Sequence, residues 1–245
     1  MEKKGRRKMK LYTNIQGEGD PLVFLHSGLQ TGSSDFQKHA EHFSKSFKVI
    51  RPDLRGHGNS FSGDFTNYFE DAGEDLKETL DGLELDSVHI AASSLGSLAA
   101  LSFACKYPEC VKSLTISGIQ AVKPKKWSDM HRQEVDHQRK LLREEAFVQY
   151  FNQLHNTNWR ELIYLSREEN WYPFYLTKAL PGIGVPTLYL AGEQNGPEVK
   201  AAHLFSGYDH IHTAVLPFAG HLVHNDQPEW YINLLERFLS EFEEY

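Results

Sequence analysis

Short apolar runs alternate with longer amphipathic stretches along most of the chain. Apolar runs between turn residues are typical of buried strands, and apolar residues three or four positions apart are typical of helices. The last stretch shows the helical spacing most clearly, with Tyr231, Leu235, Phe238 and Phe242 on one face. The pattern predicts strands near residues 11–16, 22–26, 48–51, 88–91, 113–117, 187–191 and 212–216, and further helices near 69–83 and 95–107.

This alternation predicts an α/β protein with a mostly parallel central sheet and helices on both of its faces. It stops between Gly118 and Pro186, where the chain becomes rich in charged and aromatic residues. An insert that follows a parallel strand lies at the carboxyl edge of the sheet, where ligands bind. The predicted organisation is a basic N-terminal tail over 1–10, a core over 11–118 and 186–245, and a helical cap over 119–185.

The segment from Val88 to Ala100 carries the clearest chemical signal. It joins a predicted strand to a helix of small and apolar residues, with Ser94 at the turn. Ala92 and Gly96 flank the serine, and small residues are needed where a strand and a helix pass close together. The start of the helix also directs N–H groups at negative charge that forms beside the serine. The pattern predicts a nucleophile, although serine is also a common helix N-cap.

This turn and three other blocks resemble the α/β-hydrolase family. The turn resembles the family's Gly-x-Ser-x-Gly nucleophile elbow, with Ala92 in place of the first glycine. The other blocks, in family order, are His26-Ser27-Gly28, Asp53 to Ser60, and Gly220-His221 followed by Asp226 to Glu229. They resemble the oxyanion loop, the Asp-x-Arg-Gly-x-Gly-x-Ser loop and the catalytic-histidine loop. The resemblance covers the chain apart from the cap insert.

The resemblance implies a serine hydrolase in which Ser94 attacks a carbonyl and His221 takes and returns the proton. It implies that the backbone N–H groups of Gly28 and Leu95 form the oxyanion hole. His224 is the alternative base if the register of the histidine loop differs.

The third catalytic position is less clear, because the family's acid position holds Asn195. An asparagine can accept a hydrogen bond from the imidazole, but it cannot support an imidazolium by charge. Glu193 and Glu198 are the neighbouring alternatives, and Glu193 matches a common non-catalytic position. Asp226 is predicted to cap the final helix.

Aromatic residues of the cap are expected to line an apolar substrate pocket, although such residues also attach a cap to its core. The candidates are Trp127, Tyr150, Trp159 and Trp171. The expected substrate is a small carboxylic ester or a related acyl compound. One alternative is a carbon–carbon hydrolase or lyase, in which cap arginines would bind a substrate carboxylate. These arginines are Arg132, Arg139, Arg143 and Arg160. Another alternative is a ligand-binding protein of low activity, because of Asn195.

Composition excludes several partners. The net charge of −7 argues against nucleic acid and anionic membranes. The basic tail is followed by no apolar run long enough for a signal peptide or a membrane span. Cys105 and Cys110 lack zinc or redox spacing, which favours a cytoplasmic protein. Without a glycine-rich phosphate loop or a clustered His/Cys/carboxylate set, no metal or organic cofactor is expected. A small-molecule substrate is the expected partner, and the oligomeric state stays open.

Overall fold

The computed structural model describes residues 9–242, in which the strands form one sheet in the order β1-β3-β2-β4-β5-β6-β7. β1 pairs antiparallel with β3, and the other neighbouring strands are parallel. The strands are β1 (Thr13–Gln16), β2 (Asp20–Leu25), β3 (Phe47–Pro52), β4 (Val88–Ser93), β5 (Val111–Ser117), β6 (Thr187–Gly192) and β7 (Ile211–Leu216). The predicted α/β architecture is confirmed, and the predicted strand ends differ from these by at most two residues.

The helices cover both faces of the sheet and fill the insert between β5 and β6. They are α1 (Gln37–Phe43), α2 (Tyr68–Asp81), α3 (Leu95–Lys106), α4 (Trp127–Leu141), α5 (Glu145–Leu154), α6 (Trp159–Leu165), α7 (Phe174–Ile183), α8 (Gly196–Phe205), α9 (Val223–Asp226) and α10 (Pro228–Leu239). A 3₁₀ turn spans Pro108–Cys110. Of the basic tail expected over residues 1–10, all but Met9 and Lys10 lies outside the described residues.

The core lies on both faces of the sheet because the central strands carry apolar residues at successive positions. Val23 and Leu25 of β2 join one buried cluster with α2 and α3, whereas Leu22 and Phe24 join a second cluster with α1 and α10. Successive side chains of a strand point to opposite faces, so one strand supplies both layers. β4 and β6 are buried along their whole length.

The last helix packs as its spacing predicts, with one difference. Tyr231, Leu235 and Phe238 are buried against the sheet. Phe242 lies beyond the end of α10 and still packs against the same cluster.

The helices α4 to α7 occupy the segment predicted to form the cap. Leu176 and Leu180 of α7 join the main core, whereas Phe151, Trp159 and Ile163 form a separate cluster with Leu29 of the core. The insert is therefore attached both through α7 and through the loop that follows β2. Within residues 9–242, every helix is too short or too polar to cross a membrane.

Gly96, in the first turn of α3, makes the closest approach between helix and sheet at the Ser94 turn. A Cβ at this position would lie 2.2 Å from the carbonyl oxygen of Leu25 and 2.7 Å from that of His26. We expect Gly96→Ala to lower the free energy of unfolding by about 3 kcal/mol, because backbone atoms would have to move. The melting temperature should fall by roughly 6–12 °C, as measured by circular dichroism.

Gly63→Ala is the matched control, because no atom lies within 4 Å of a Cβ built there. Equal melting temperatures for the two variants would contradict this account of the turn.

Candidate active site

Ser94 lies on a sharp turn between β4 and α3, with φ 52° and ψ −113°. This conformation is unfavourable for a residue with a side chain and is kept only where the surroundings enforce it. The backbone N–H of Ser94 donates to the carbonyl of Ser117 at 2.9 Å. Gly118 follows with φ 70°, and a Cβ there would lie 3.0 Å from the Ser94 nitrogen. The turn therefore directs the Ser94 hydroxyl out of the sheet, whereas its neighbour Ser93 is fully buried.

His221 reaches the serine from the loop between β7 and α9. Its Nε2 lies 2.9 Å from the Ser94 Oγ. The loop is held by Asp226, whose carboxylate accepts a hydrogen bond of 2.7 Å from the N–H of Gly220. The prediction that Asp226 caps the final helix is wrong, because α10 begins after Gln227 and Asp226 ends α9.

Glu198, not Asn195, contacts the other nitrogen of the imidazole. Oε1 of Glu198 lies 2.6 Å from Nδ1 of His221. Asn195 instead donates from Nδ2 to the same oxygen at 2.7 Å. The prediction that Asn195 occupies the acid's place beside the histidine is therefore wrong, and its carboxamide orients the carboxylate. Glu193 is also outside this contact, since its carboxylate accepts from the N–H of Phe218.

The cause of this difference is the start of α8. Asn195 is the N-cap residue, and Glu198 lies in the first helical turn, buried with 2% of its side chain exposed. The turn brings Glu198 back over the end of β6, toward the histidine loop. A sequence signal was present, because Pro197 marks a first helical turn and carboxylates are favoured there.

The charges of His221 and Glu198 support each other. Burial disfavours the imidazolium, but the hydrogen bond and the charge of Glu198 outweigh it and raise the pKa of His221. Burial also raises the pKa of Glu198, although the hydrogen bond from His221 opposes this. The pair titrates as a unit. With Nδ1–H donating to the carboxylate, Nε2 is left as a hydrogen-bond acceptor that faces the Ser94 hydroxyl.

His224, the alternative base, lies elsewhere. It is fully buried, and its Nε2 lies 2.9 Å from Oδ1 of Asp35. The other oxygen of Asp35 accepts from both the N–H and the hydroxyl of Ser27, at 2.7 Å and 2.8 Å. Burial opposes ionisation of Asp35, but these hydrogen bonds and the charge of His224 lower its pKa. This buried network of hydrogen bonds holds the loop after β2 in place.

Gly28 and Leu95 are neighbours beside the serine. A Cβ on Gly28 would lie 3.9 Å from the Cβ of Leu95, and both residues line the same cavity as Ser94. Within the described part of the chain, neither backbone N–H donates to a protein acceptor. Two free N–H groups next to a serine are the arrangement that an oxyanion requires.

The cavity over Ser94 has a volume of about 490 Å³ and lies between the core and the insert. Trp127 and Trp171 line it, as predicted, together with Tyr172. The predictions for Tyr150 and Trp159 are wrong. Tyr150 points to solvent, with 51% of its surface exposed, and Trp159 is buried against Phe147 and Phe151 and is not among the residues that line the cavity.

The charged groups of the cavity wall are acidic. Glu134 and Glu168 line it, and among the described lining residues there is no lysine or arginine. Arg132 pairs with Asp129 and Arg139 with Asp136 on the exposed face of α4. The other two candidate cap arginines, Arg143 and Arg160, also lie outside the wall, Arg160 stacking over the ring of Trp159. Across residues 9–242, no group of three or more His, Cys, Asp or Glu side chains is placed to hold a metal ion.

The chain is similar to proteins of one known family. Residues 20–164 match the sequence model of a protein family that is described as alpha/beta hydrolase fold. The chain is 33% identical over 101 residues to the (E)-2-((N-methylformamido)methylene)succinate hydrolase of Acinetobacter baylyi, covering 41% of this chain and 38% of that protein. It is 28% identical over 125 residues to the 2-hydroxy-6-oxo-6-phenylhexa-2,4-dienoate hydrolase of Burkholderia cepacia, covering 48% and 43%. The matched segments thus span less than half of these two relatives.

Solved structures resemble the chain over nearly its whole length. NosK from Streptomyces actuosus superposes with a TM-score of 0.81, at 24% identity over 93% of this chain and 100% of that one. A thermophilic esterase from Thermogutta terrifontis gives a TM-score of 0.77, at 20% identity over 96% and 94%. Because the sequence identity is this low, the similarity to these two structures shows only a shared fold.

The geometry predicts how His221 titrates. We expect its pKa to lie above the ordinary value of 6.5. We expect Glu198→Gln to lower that pKa, because the amide removes the negative charge that stabilises the imidazolium. The measurement is an NMR titration of the histidine ring, assigned through loss of the signal in His221→Gln.

Glu193→Gln is the matched control, since it makes the same change in the loop just before α8 without touching the imidazole. If Glu193→Gln moves the titration and Glu198→Gln does not, the assignment of the acidic partner is wrong.

Proposed function

Because the chain belongs to the alpha/beta hydrolase fold family, we propose that it is a serine hydrolase that cleaves a carboxylic ester or a related acyl compound. The observation that carries the proposal is the line of hydrogen bonds from Ser94 to His221 to Glu198, at 2.9 Å and 2.6 Å. A serine hydroxyl is a weak nucleophile until a base removes its proton, and this line supplies both the base and the group that orients it.

In the proposed reaction, the Ser94 oxygen attacks the substrate carbonyl while Nε2 of His221 takes the hydroxyl proton. The N–H groups of Gly28 and Leu95 stabilise the negative oxygen of the tetrahedral intermediate. Glu198 stabilises the imidazolium, which then gives its proton to the departing alcohol. Water attacks the acyl-serine, with His221 again as base, and release of the acid returns the proton to Ser94.

The cavity supports a substrate with a neutral, apolar acyl group. Its volume of about 490 Å³ suits a small ligand. Trp127, Trp171 and Tyr172 provide apolar surface, and Glu134 and Glu168 disfavour an anionic group.

A carbon–carbon hydrolase is the second candidate, favoured by the names of relatives such as the dienoate hydrolase of Burkholderia cepacia. The cap arginines that would bind a substrate carboxylate are not among the residues lining the cavity, which favours the ester. The ligand-binding alternative rested on an amide at the acid's position, and Glu198 provides a carboxylate there.

The test of the proposal is a fluorophosphonate probe followed by peptide mass spectrometry and a p-nitrophenyl butyrate assay. We expect the label on Ser94, because only an activated serine reacts readily with the probe. Ser94→Ala should abolish both labelling and turnover, and Ser93→Ala, one residue earlier, serves as the comparison. A label on another serine, or turnover that survives in Ser94→Ala, would refute the assignment.

Two substitutions can identify the acidic partner of His221. We expect Glu198→Gln to lower kcat roughly a thousandfold, because the imidazolium loses its counter-charge. Asn195→Ala should lower kcat only severalfold, since it removes a single hydrogen bond to the carboxylate. Steady-state kinetics on the same ester measures both. If kcat falls more in Asn195→Ala than in Glu198→Gln, then Asn195, not Glu198, is the residue on which His221 depends.

Charge selectivity can be tested at Glu134, whose negative charge also acts to raise the pKa of His221. The substrates are p-nitrophenyl butyrate and the p-nitrophenyl monoester of succinic acid, which differ by one carboxylate. We expect the wild type to prefer the neutral ester, and Glu134→Gln to narrow the ratio of kcat/KM values about two- to fivefold. Asp136→Asn is the control, because it removes one charge from the same helix outside the cavity. An equal change in both variants would contradict a local effect of Glu134.

A further inference from the structure

Leu29 has an unusual backbone next to the proposed oxyanion hole. It follows Gly28 directly and has φ 62°, a conformation that favours glycine. The N–H of Gln30 donates to the carbonyl of Ser27 at 3.1 Å, so residues 27–30 form a tight turn with Leu29 at its third position. Glycine or asparagine is the usual residue where such a turn requires a positive φ. Something outside the turn must hold Leu29 in place.

Two imidazoles hold both polar backbone groups of Leu29. Its N–H donates to Nε2 of His57 at 3.2 Å. Its carbonyl lies 2.9 Å from Nε2 of His155. One contact comes from the loop after β3, and the other comes from the end of α5 in the insert.

The partners of the remaining ring nitrogens fix both tautomers. Nδ1 of His57 lies 3.1 Å from the carbonyl oxygen of Arg55, so it carries the proton and leaves Nε2 as an acceptor. Nδ1 of His155 accepts from the N–H of Gly58 at 2.8 Å, which leaves Nε2–H to donate to Leu29. Each ring therefore has one donor and one acceptor, as only a neutral imidazole does.

Both rings are shielded from solvent, with His57 fully buried and His155 4% exposed. Burial, together with the neighbouring His26 and His155, holds the pKa of His57 well below its ordinary value. Burial also lowers the pKa of His155 to about 4. The neutral forms that the hydrogen bonds require are thus the stable ones near neutral pH.

His155 also belongs to a larger contact between the insert and the core. Its ring stacks on Phe151 at 5.8 Å, in the cluster that also packs against the Leu29 side chain. The two residues that follow bind the loop after β3, where Asn156 N–H donates to the carbonyl of Gly58 and Thr157 Oγ1 to that of Gly56. Residues 155–157 therefore join the insert to the loop that supports the turn.

We propose that His155 is a positioning residue that, with His57, holds the 27–30 turn in the conformation that aims the Gly28 N–H at the oxyanion. Stabilisation of the transition state then requires that residues 155–157 pack against the loop after β3. The inference rests on the proposed function, because the Gly28 N–H matters only where an oxyanion forms.

The first test compares His155→Phe with His155→Gln. Phenylalanine keeps the ring and its stacking but removes both hydrogen bonds, whereas a glutamine carboxamide can accept from Gly58 and donate to Leu29. We expect His155→Phe to lower kcat about ten- to a hundredfold with little change in KM, because the lost interaction acts in the transition state. His155→Gln should retain kcat to within about threefold of the wild type.

The second test asks whether the effect passes through the conformation of Leu29. In Leu29→Gly the turn no longer needs outside support, so adding His155→Phe should cost only about threefold in kcat. Leu29→Ala is the matched control, because it removes similar packing but keeps a side chain at positive φ. In that background the full effect of His155→Phe should persist. Affinity for a trifluoromethyl ketone, which forms a tetrahedral adduct on the serine, should fall in parallel with kcat.

The outcomes separate the inference from the function on which it rests. A kcat of His155→Phe equal to that of the wild type would overturn the inference alone. So would an equal loss in the Leu29→Gly and Leu29→Ala backgrounds, since His155 would then act only through packing. If the wild type instead shows no turnover that depends on Ser94, the proposed function is refuted, and the inference with it.

Discussion

Close packing of α3 against the end of β2 holds Ser94 at a positive φ of 52°, and the geometry of the site depends on that constraint. Gly96 allows the helix to start against the carbonyl groups of Leu25 and His26, where any side chain would collide. The same packing leaves the Ser94 hydroxyl and the Leu95 N–H facing the cavity. The strain is kept because the strand and the helix on either side are buried in the core.

Two buried carboxylates, Glu198 and Asp35, join the loops around Ser94. Glu198 joins the start of α8 to His221. Asp35 joins the loop after β2, through Ser27, to His224, three residues beyond His221. The hydroxyl of Ser27 gives Asp35 a further partner. Each buried carboxylate accepts hydrogen bonds from the segments that it joins, and these bonds offset part of the cost of its burial.

The insert contributes to the site in two different ways. Helices α4, α5 and α6 and the segment before α7 line the cavity, with aromatic surface and acidic groups. At the end of α5, His155 also binds the carbonyl of Leu29, next to Gly28. These two contributions meet in α5, because Phe147 lines the cavity and packs against Phe151, on which the ring of His155 stacks.

The features that depend on neighbours along the chain could be predicted from the sequence. Continuous apolar runs located the strands, because both faces of this sheet are covered. The small residues around Ser94 marked the turn, because that constraint acts within a few residues. Tertiary packing was needed to choose between Asn195 and Glu198, since the direction of α8 determines which side chain meets His221, 23 residues after Glu198. It also decided which tryptophans face the cavity, because that depends on how α4, α5 and α6 are turned. The contact of His155 with Leu29 joins residues 126 positions apart, a distance over which local sequence patterns carry no information about packing.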